Sequence, residues 1–522
     1  MRAIDYFDRG VDIAPNRTAI LEGDTKISFQ ELKDMTFQVA AALRANGVQR
    51  QEPIAIYSPN HWAVLVCLLG MWRAAEKWIP VNARNALDAN IQYMNYVRTS
   101  WLFYHSQYRE EARALAKHVP SIRGVICIDR DDDGYPSLQE FLKQGESTKF
   151  VEDCDAFGNL DDVVGIFPTG GTTGPSKGVN VTNLGWGTMQ EMGGNFWNRN
   201  LAHPVGLITA PLTHAAGPVA TACLSFGTTL VIMPSFDAAG VLQNIQKHKV
   251  SHLYLPPTAL YSLLDHPDRG KYDYSSLRIF LLVGSPVSHE KLKQAVEVFG
   301  PCMCQCYGQV ESPLITTWLP PETVAAAARG DHPERLKSAG KPTYPVKVGI
   351  MDDDGNLLPN GERGEIVVRG ALVSHSYFEK PEATEEARKF GWHHTGDVAY
   401  RDDDGYIFIV DRKKDMIVTG GFNVFSAEVE ACVMEMNSIA ECAVIGVPHE
   451  HWGEAIKAIV VRAQGSKATE EEVIAHCKAR LGGVKAPKSV DFWVEIPKTA
   501  NNKMDKKAIR AKYWANAERN VH

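Results

Sequence analysis

Residues Phe167 to Val179 read "FPTGGTTGPSKGV", and nine of these thirteen are Gly, Thr, Ser or Lys. An apolar run, "VVGIF" from Val163, leads into them and reads as a strand entering a loop. Glycines let backbone N–H groups come close to an anion and permit positive φ. Thr169, Thr172, Thr173 and Ser176 add hydroxyl donors, and Lys177 adds a point charge. The chemistry fits phosphate. A Walker loop needs Gly immediately before its Lys and Ser or Thr after it, whereas here Ser176 precedes Lys177 and Gly178 follows. A flexible linker would need neither the strand nor a single Lys among hydroxyls.

With 522 residues the chain is too long for one core and predicts two or more domains. Its composition, 44% hydrophobic and 22% charged, is that of a soluble globular protein. A net charge of −7 offers no basic field for nucleic acid. The N-terminal "MRAIDYFDRGVDIAP" scatters charges and does not read as a signal peptide, so a cytoplasmic location is expected. The longest apolar stretch, "WAVLVCLLGMW" from Trp62 to Trp72, is too short to span a bilayer and reads as a buried core helix. Ten cysteines without paired spacing fit reduced thiols. Cys302, Cys304 and Cys306 alternate along one segment, which cannot by itself close a tetrahedral metal shell, so free buried thiols are expected there.

Working outward, strand-length apolar runs ("EPIAIYSP", "GVICID", "VGLITAP", "TTLVIMP", "SHLYLPP", "RIFLLVGSP") alternate with helical patterns. One such helix starts at Ser28 as N-cap with Glu31 at the capping-box position, and Gly47 ends it. Alternation of this kind predicts α/β layering with mostly parallel sheets. Near residue 345 closely spaced strands with turns at Asp354-Gly355 and Asn360-Gly361 predict an antiparallel β subdomain. After "DRKKD" a small α/β pattern follows: a helix over Ser426 to Met436, strands "ECAVIGVP" and "EAIKAIVVRA", and a helix "TEEEVIAHCKARL". The main boundary is placed at Arg412 to Lys414.

Three further stretches carry chemistry. "QCYGQVES" sets Tyr307 and Gly308 before Glu311, and a carboxylate near a polyphosphate is a natural Mg²⁺ ligand. "GWHHTGDVAYRDDDGYIFIVDRKKD" sets Asp397 after Thr395-Gly396, where a carboxylate can accept from both ribose hydroxyls. "IPKTANNKMDKKAIR" carries Lys503 in a polar loop. Each alone is more often structural or solvated. In this order, the set resembles the adenylate-forming superfamily of acyl-CoA synthetases, luciferases and peptide-synthetase adenylation domains, from "ISFQELKD" to "KMDKKAIR".

The resemblance implies an α/β fold: a large N-terminal domain, residues 1–411, of two mostly parallel layered sheets plus an antiparallel β subdomain. A hinge at 412–414 and a small mobile α/β C-terminal domain over 415–522 follow. It implies an AMP-forming acid–thiol ligase that uses ATP, Mg²⁺ and coenzyme A on a small-molecule carboxylic acid through an acyl-AMP intermediate. The phosphate loop is matched by Thr169, Gly170, Gly171, Thr172, Thr173 and Lys177, and the next motif by Tyr307, Gly308 and Glu311 as metal ligand. Asp397 and Arg412 fix the ribose, Lys414 sits at the hinge, and Lys503 is the catalytic lysine with Glu311 and Thr169. Gly420, Gly421 and Phe422 would face the thiol tunnel. The acyl pocket is expected around His214, Ala215, Gly217, Gly284, Ser285 and Pro286. His214 stands where amino-acid-activating relatives carry an Asp, which favours an uncharged aryl, arylacetic or medium-chain fatty acyl group; the alternative is a packed core His. Ser176, Val310 and Asn502 depart from the usual Pro, Thr and Gly. A free-standing adenylation enzyme loading a separate carrier protein is the competing reading, and a homodimer is compatible with either.

Overall fold

The computed structural model describes residues 1–132, 134–152, 159–169, 176–196, 201–499 and 504–514. The described chain falls into two units. The first holds residues up to 348 together with 368–393, and the second holds 349–367 and 394 onward.

The first unit contains two large sheets. One has nine strands, with Met303–Tyr307, Ile279–Leu282, His252–Leu255, Val205–Ile208, Thr229–Ile232 and Thr18–Glu22 running parallel through its centre. The other has seven, ordered Ser376–Tyr377, Gly178–Thr182, Val163–Pro168, Lys77–Pro80, Pro53–Tyr57, Trp101–Tyr104 and Gly124–Cys127. Apolar runs without alternation mark strands buried on both faces, as parallel sheets require. "HLYL", "IFLL" and "WLFY" are buried at every position.

The helices follow their sequence signals. Ser28 Oγ accepts from Glu31 N–H (3.2 Å) and the Glu31 carboxylate accepts from Ser28 N–H (2.7 Å), fixing the start of the helix Phe29–Ala45. Such a cap contributes about 1 kcal/mol. Gly47, with φ +71°, supplies the left-handed residue after it. The helix Trp62–Arg73 is buried from Ala63 to its end. It lies so close to the preceding helix that a Cβ on Gly70 would stand 2.4 Å from Val39 Cβ. Its fully buried Arg73 pairs with Asp8 and Glu152, each at 2.7 Å. Among the described residues no helix is long and apolar enough to cross a membrane. The nine described cysteines are all buried and free. Burial pushes the Cys302 thiol up to about 12 and raises those of Cys304 and Cys306 well above their ordinary value.

The second unit holds most of a four-stranded sheet, ordered Val346–Met351, Gly364–Gly370, His393–Arg401 and Ile407–Arg412. Gly355 and Gly361 take φ of +89° and +86° at the two predicted turns. A second sheet pairs Ile439–His449 with Gly453–Arg462 and adds the hairpin Ile417–Thr419/Phe422–Val424 and the strand Ser489–Phe492. The helix predicted over 426–436 ends earlier, as Ser426–Val433, and the "TEEEVIAHCKARL" helix runs as Glu470–Lys485 under a Thr469 capping box. A buried polar network ties the unit together. Asp411 accepts from Ser426 Oγ (2.8 Å), Lys506 Nζ reaches both Ser426 Oγ and Glu430 (2.7 Å each), and Arg510 donates to Asp415 (2.8 Å).

Candidate active site

Val163–Pro168 and Gly178–Thr182 form an antiparallel hairpin with Pro168 opposite Gly178. Thr169 N–H donates to Lys177 O (2.9 Å), and Lys177 N–H donates to Thr169 Oγ1 (3.2 Å). Thr169 and Lys177, two of the residues singled out, therefore close the described end of this hairpin. A Cβ on Gly178 would stand 2.6 Å from Ile166 Cγ2, which explains why glycine follows the lysine. Gly170, Gly171, Thr172 and Thr173 lie outside the described residues.

The two-residue strand Ser376–Tyr377 extends this sheet, with Tyr377 opposite Val179. That pairing sets the tyrosine beside the hairpin. Its hydroxyl donates to Glu311 Oε1 (2.7 Å), and Lys177 Nζ lies 5.0 Å from its ring centroid. Burial and the Glu311 carboxylate both push the Tyr377 hydroxyl well above its ordinary value, so it stays a neutral donor. Ser374 N–H holds the Glu311 carbonyl (2.7 Å). Glu311 itself sits in a tight loop after the strand that Tyr307 closes. A Cβ on Gly308 would meet Leu314 N and Ser312 O at 2.7 Å, so the loop folds back only over a glycine. Lys177, Glu311 and Tyr377 thus form one cluster, and a carboxylate held by a neutral donor beside a lysine fits a Mg²⁺–phosphate pair.

His214 is exposed rather than packed in the core, and its Nδ1 accepts from Ala215 N–H (2.7 Å). The helix Ala216–Leu224 begins here, and Gly217 N–H donates to His214 O (3.0 Å). A Cβ on Gly217 would stand 2.4 Å from Leu212 O and 2.9 Å from the Trp78 ring. Asn60, unremarked in the sequence, clamps the segment: its amide nitrogen donates to Ala210 O (2.9 Å) and its oxygen accepts from Leu212 N–H (2.8 Å). Gly284, Ser285 and Pro286 are exposed, and Gly284 has φ +104° with nothing within 4 Å of an added Cβ.

In the second unit Asp397 and Arg412 sit opposite each other in paired strands, with Arg412 Nε 3.3 Å from Asp397 Oδ1. Gly396 takes φ +71° and gives its N–H to Glu365 Oε1 (2.9 Å). Glu365 also meets His394 Nδ1 (3.1 Å) and Lys413 Nζ (3.3 Å). Burial raises the Glu365 carboxyl, but His394, the Gly396 N–H and Lys413 outweigh it and hold it below its ordinary value. Burial and the nearby Arg412 lower the ammonium of Lys414. Gly420 and Gly421, at φ +56° and +79°, form the two-residue turn of a hairpin, and Phe422 beside them is 59% exposed. Lys503 lies outside the described residues; its neighbour Met504 pairs with Lys498.

Comparison with known proteins finds relatives along most of the chain. The sequence model of the family described as "AMP-binding enzyme" matches residues 7–378, and that of its C-terminal domain matches 428–503. A medium/long-chain-fatty-acid–CoA ligase from Mycobacterium tuberculosis is 35% identical, over 97% of this chain and 89% of its own. A feruloyl-CoA synthase from Amycolatopsis sp is 34% identical, over 97% and 98%. Among solved structures, the amide bond synthetase McbA from Marinactinospora thermotolerans superposes with a TM-score of 0.87 at 26% identity, covering 98% of this chain and 100% of that one. The o-succinylbenzoate CoA synthetase of Bacillus subtilis, bound to its acyl-adenylate intermediate, gives 0.84 at 26% identity, covering 97% of each.

Proposed function

The chain belongs to the AMP-binding enzyme family of adenylate-forming ligases, and from that premise we propose that it is an acid–CoA ligase for an uncharged aryl, arylacetic or medium-chain acyl group. The observation that carries the site assignment is the cluster of Lys177, Tyr377 and Glu311 at the foot of the Thr169 hairpin.

A carboxylate is a poor electrophile until one oxygen becomes a good leaving group. Its oxygen attacks the α-phosphorus of ATP, a P–O bond forms, and pyrophosphate leaves to give acyl-AMP. Charge spreads over the phosphate oxygens in the transition state, where fixed cations and donors supply most of the stabilisation. Lys177 and the Thr169 hairpin hold the β- and γ-phosphates. Glu311 would hold Mg²⁺, which when bound offsets phosphate charge. Lys503 bridges the carboxylate and the α-phosphate. Asp397 accepts the ribose hydroxyls, with Arg412 orienting it. The thiol of coenzyme A then attacks the acyl carbonyl, forming the thioester and releasing AMP. The residues from 415 onward turn about Arg412–Lys414 between the steps, withdrawing Lys503 and presenting Gly420, Gly421 and Phe422 to the thiol.

The test is a panel of acids with ATP, assayed for AMP and pyrophosphate with and without CoA. Thioester formation with stoichiometric AMP supports the ligase. Acid-dependent pyrophosphate release with no thioester would transfer the activity to a carrier-loading enzyme.

A further inference from the structure

Cys432 and Glu435 stand three residues apart at the end of the helix Ser426–Val433, a spacing that brings two side chains to one face. His476 reaches the same place from the helix Glu470–Lys485, which packs on the first. One ligand atom from each lies within 4.8 Å of the other two: the thiol sulfur, a carboxylate oxygen and a ring nitrogen. His476 Nε2 is 3.1 Å from Cys432 O and 3.6 Å from Glu435 Oε2. The buried thiol of Cys477, the next residue, donates a hydrogen bond to the Cys432 sulfur.

An ion-pair staple between the helices is the plainer reading, because Arg480 also reaches Glu435 (3.3 Å). Such a staple has no use for the sulfur, which nonetheless stands within reach of both partners. Thiolate, imidazole and carboxylate together are the donors of a thiophilic divalent ion, whereas Mg²⁺ prefers oxygen alone. The donors also open to water in sequence: Cys432 is 5% exposed, the His476 side chain 23% and that of Glu435 46%. Tetrahedral bonds to zinc of about 2.0–2.3 Å set donors roughly 3.5 Å apart. Closing to that spacing asks for little more than about 1 Å, within the rotamer freedom of an exposed glutamate. The C-terminal end of a helix favours a cation there as well.

We propose that Cys432, Glu435 and His476 bind a thiophilic divalent cation of the zinc class that joins these two helices, with Cys477 as a positioning residue for the sulfur. On binding, the Cys432 S–H bond breaks and its proton passes to solvent as the metal–sulfur bond forms. Neutral His476 and ionised Glu435 each give a lone pair, Arg480 is released to water, and no electron changes hands. Three protein donors leave one tetrahedral position for a water molecule. An ion held only by the folded helix pair stabilises the folded chain by mass action. The site is separate from the Mg²⁺ assigned to Glu311 and does not depend on the ligase reading.

The full chain, stripped of metal with a chelator, is titrated with Zn²⁺ by calorimetry and with Co²⁺ by absorption, in excess Mg²⁺ and without ATP. Wild type should show a saturable site with a sulfur-to-cobalt charge-transfer band, and Zn²⁺ should raise its Tm. Cys432→Ser should remove the band and the Tm rise. His476→Gln should weaken Zn²⁺ binding tenfold or more, at least the loss expected on removing an outer-shell partner. Cys477→Ala should shift the band, because the ligating sulfur loses a hydrogen bond. Arg480→Gln removes the competing cation and should hold or strengthen Zn²⁺ binding. His332→Gln, at an exposed histidine of the first unit, should change nothing. Absence of the band in wild type, a band that persists in Cys432→Ser, Zn²⁺ affinity unchanged in His476→Gln, or binding lost in Arg480→Gln overturns the proposal. His476 is only half-buried, so His476→Gln carries the test should Cys432→Ser not fold.

Discussion

Arg412 reaches across a strand pair to Asp397, Nε to Oδ1 at 3.3 Å, with the carboxylate buried and the guanidinium about half in water. Solvent screens such a pair, so it contributes little to stability, within about 1 kcal/mol. Under the proposed function its value is orientation of a carboxylate that would accept hydrogen bonds from two ribose hydroxyls. Arg412→Ala should leave Tm nearly unchanged and raise the KM for ATP about tenfold or more, near 1.4 kcal/mol of binding. A large fall in Tm with unchanged ATP affinity would make the pair a structural bond.

Glu365 predicts a pH dependence. Its folded carboxyl is held below its ordinary value of 4.5 by His394, the Gly396 N–H and Lys413. A depressed carboxylate contributes stability in full above its unfolded value and loses it as pH falls through the folded value. Glu365→Gln should therefore lower stability at pH 7 by about 1.5–3 kcal/mol, the range for bonds to a charged group. The gap to wild type should close as pH drops below about 4.5, read from Tm against pH. A gap that persists in acid would show that packing, not charge, is lost.

Tyr377→Phe removes one hydroxyl and keeps the ring under Lys177. Glu311 then loses the donor that fixes its orientation. Adenylation should slow several-fold, and the Mg²⁺ concentration for half-maximal rate should rise, with Tm within a degree or two. Unchanged Mg²⁺ dependence would separate Glu311 from the metal.

The proposed function divides the cationic and glycine-rich residues between its two half-reactions. Lys503→Ala should abolish acid-dependent ATP–pyrophosphate exchange, a hundredfold loss or more, as for other lost transition-state contacts on the order of 3–4 kcal/mol. It should still turn synthetic acyl-AMP and CoA into thioester at near wild-type rate. For the opposite effect Phe422→Asp is better than a change at Gly421, because φ +79° there would strain any side chain whatever it faced. Phe422→Asp should spare exchange and slow thioester formation. Equal damage to both steps by Lys503→Ala would end the domain-alternation reading.

Much of this was legible along the chain because it is local. Buried parallel strands announce themselves as unbroken apolar runs, and the Ser28–Glu31 box and Gly47 bracket a helix within twenty residues. The Thr169–Lys177 loop and Asp397 were visible as residue types unsuited to packing. Tyr377 was not: a two-residue strand has no periodicity, and its meaning comes from pairing with Val179, nearly two hundred residues earlier. His214, weighed as a possible core residue, is exposed; Asn60, which holds its segment, looked like any turn asparagine.

The sheltered thiols acquire a meaning from the product. A thioester of coenzyme A hands its acyl group to any thiolate it meets, and acyl-AMP does so faster. Each of the nine described cysteines is buried, and burial drives those such as Cys223 and Cys477 up to about 12, so almost none is ionised at neutral pH. The described protein surface therefore presents no sulfur nucleophile to compete with the incoming thiol, and an enzyme that makes an acylating agent is spared acylating itself through them. In practice, free CoA can be titrated with a thiol-reactive chromophore in the presence of the native enzyme with little background from these nine side chains.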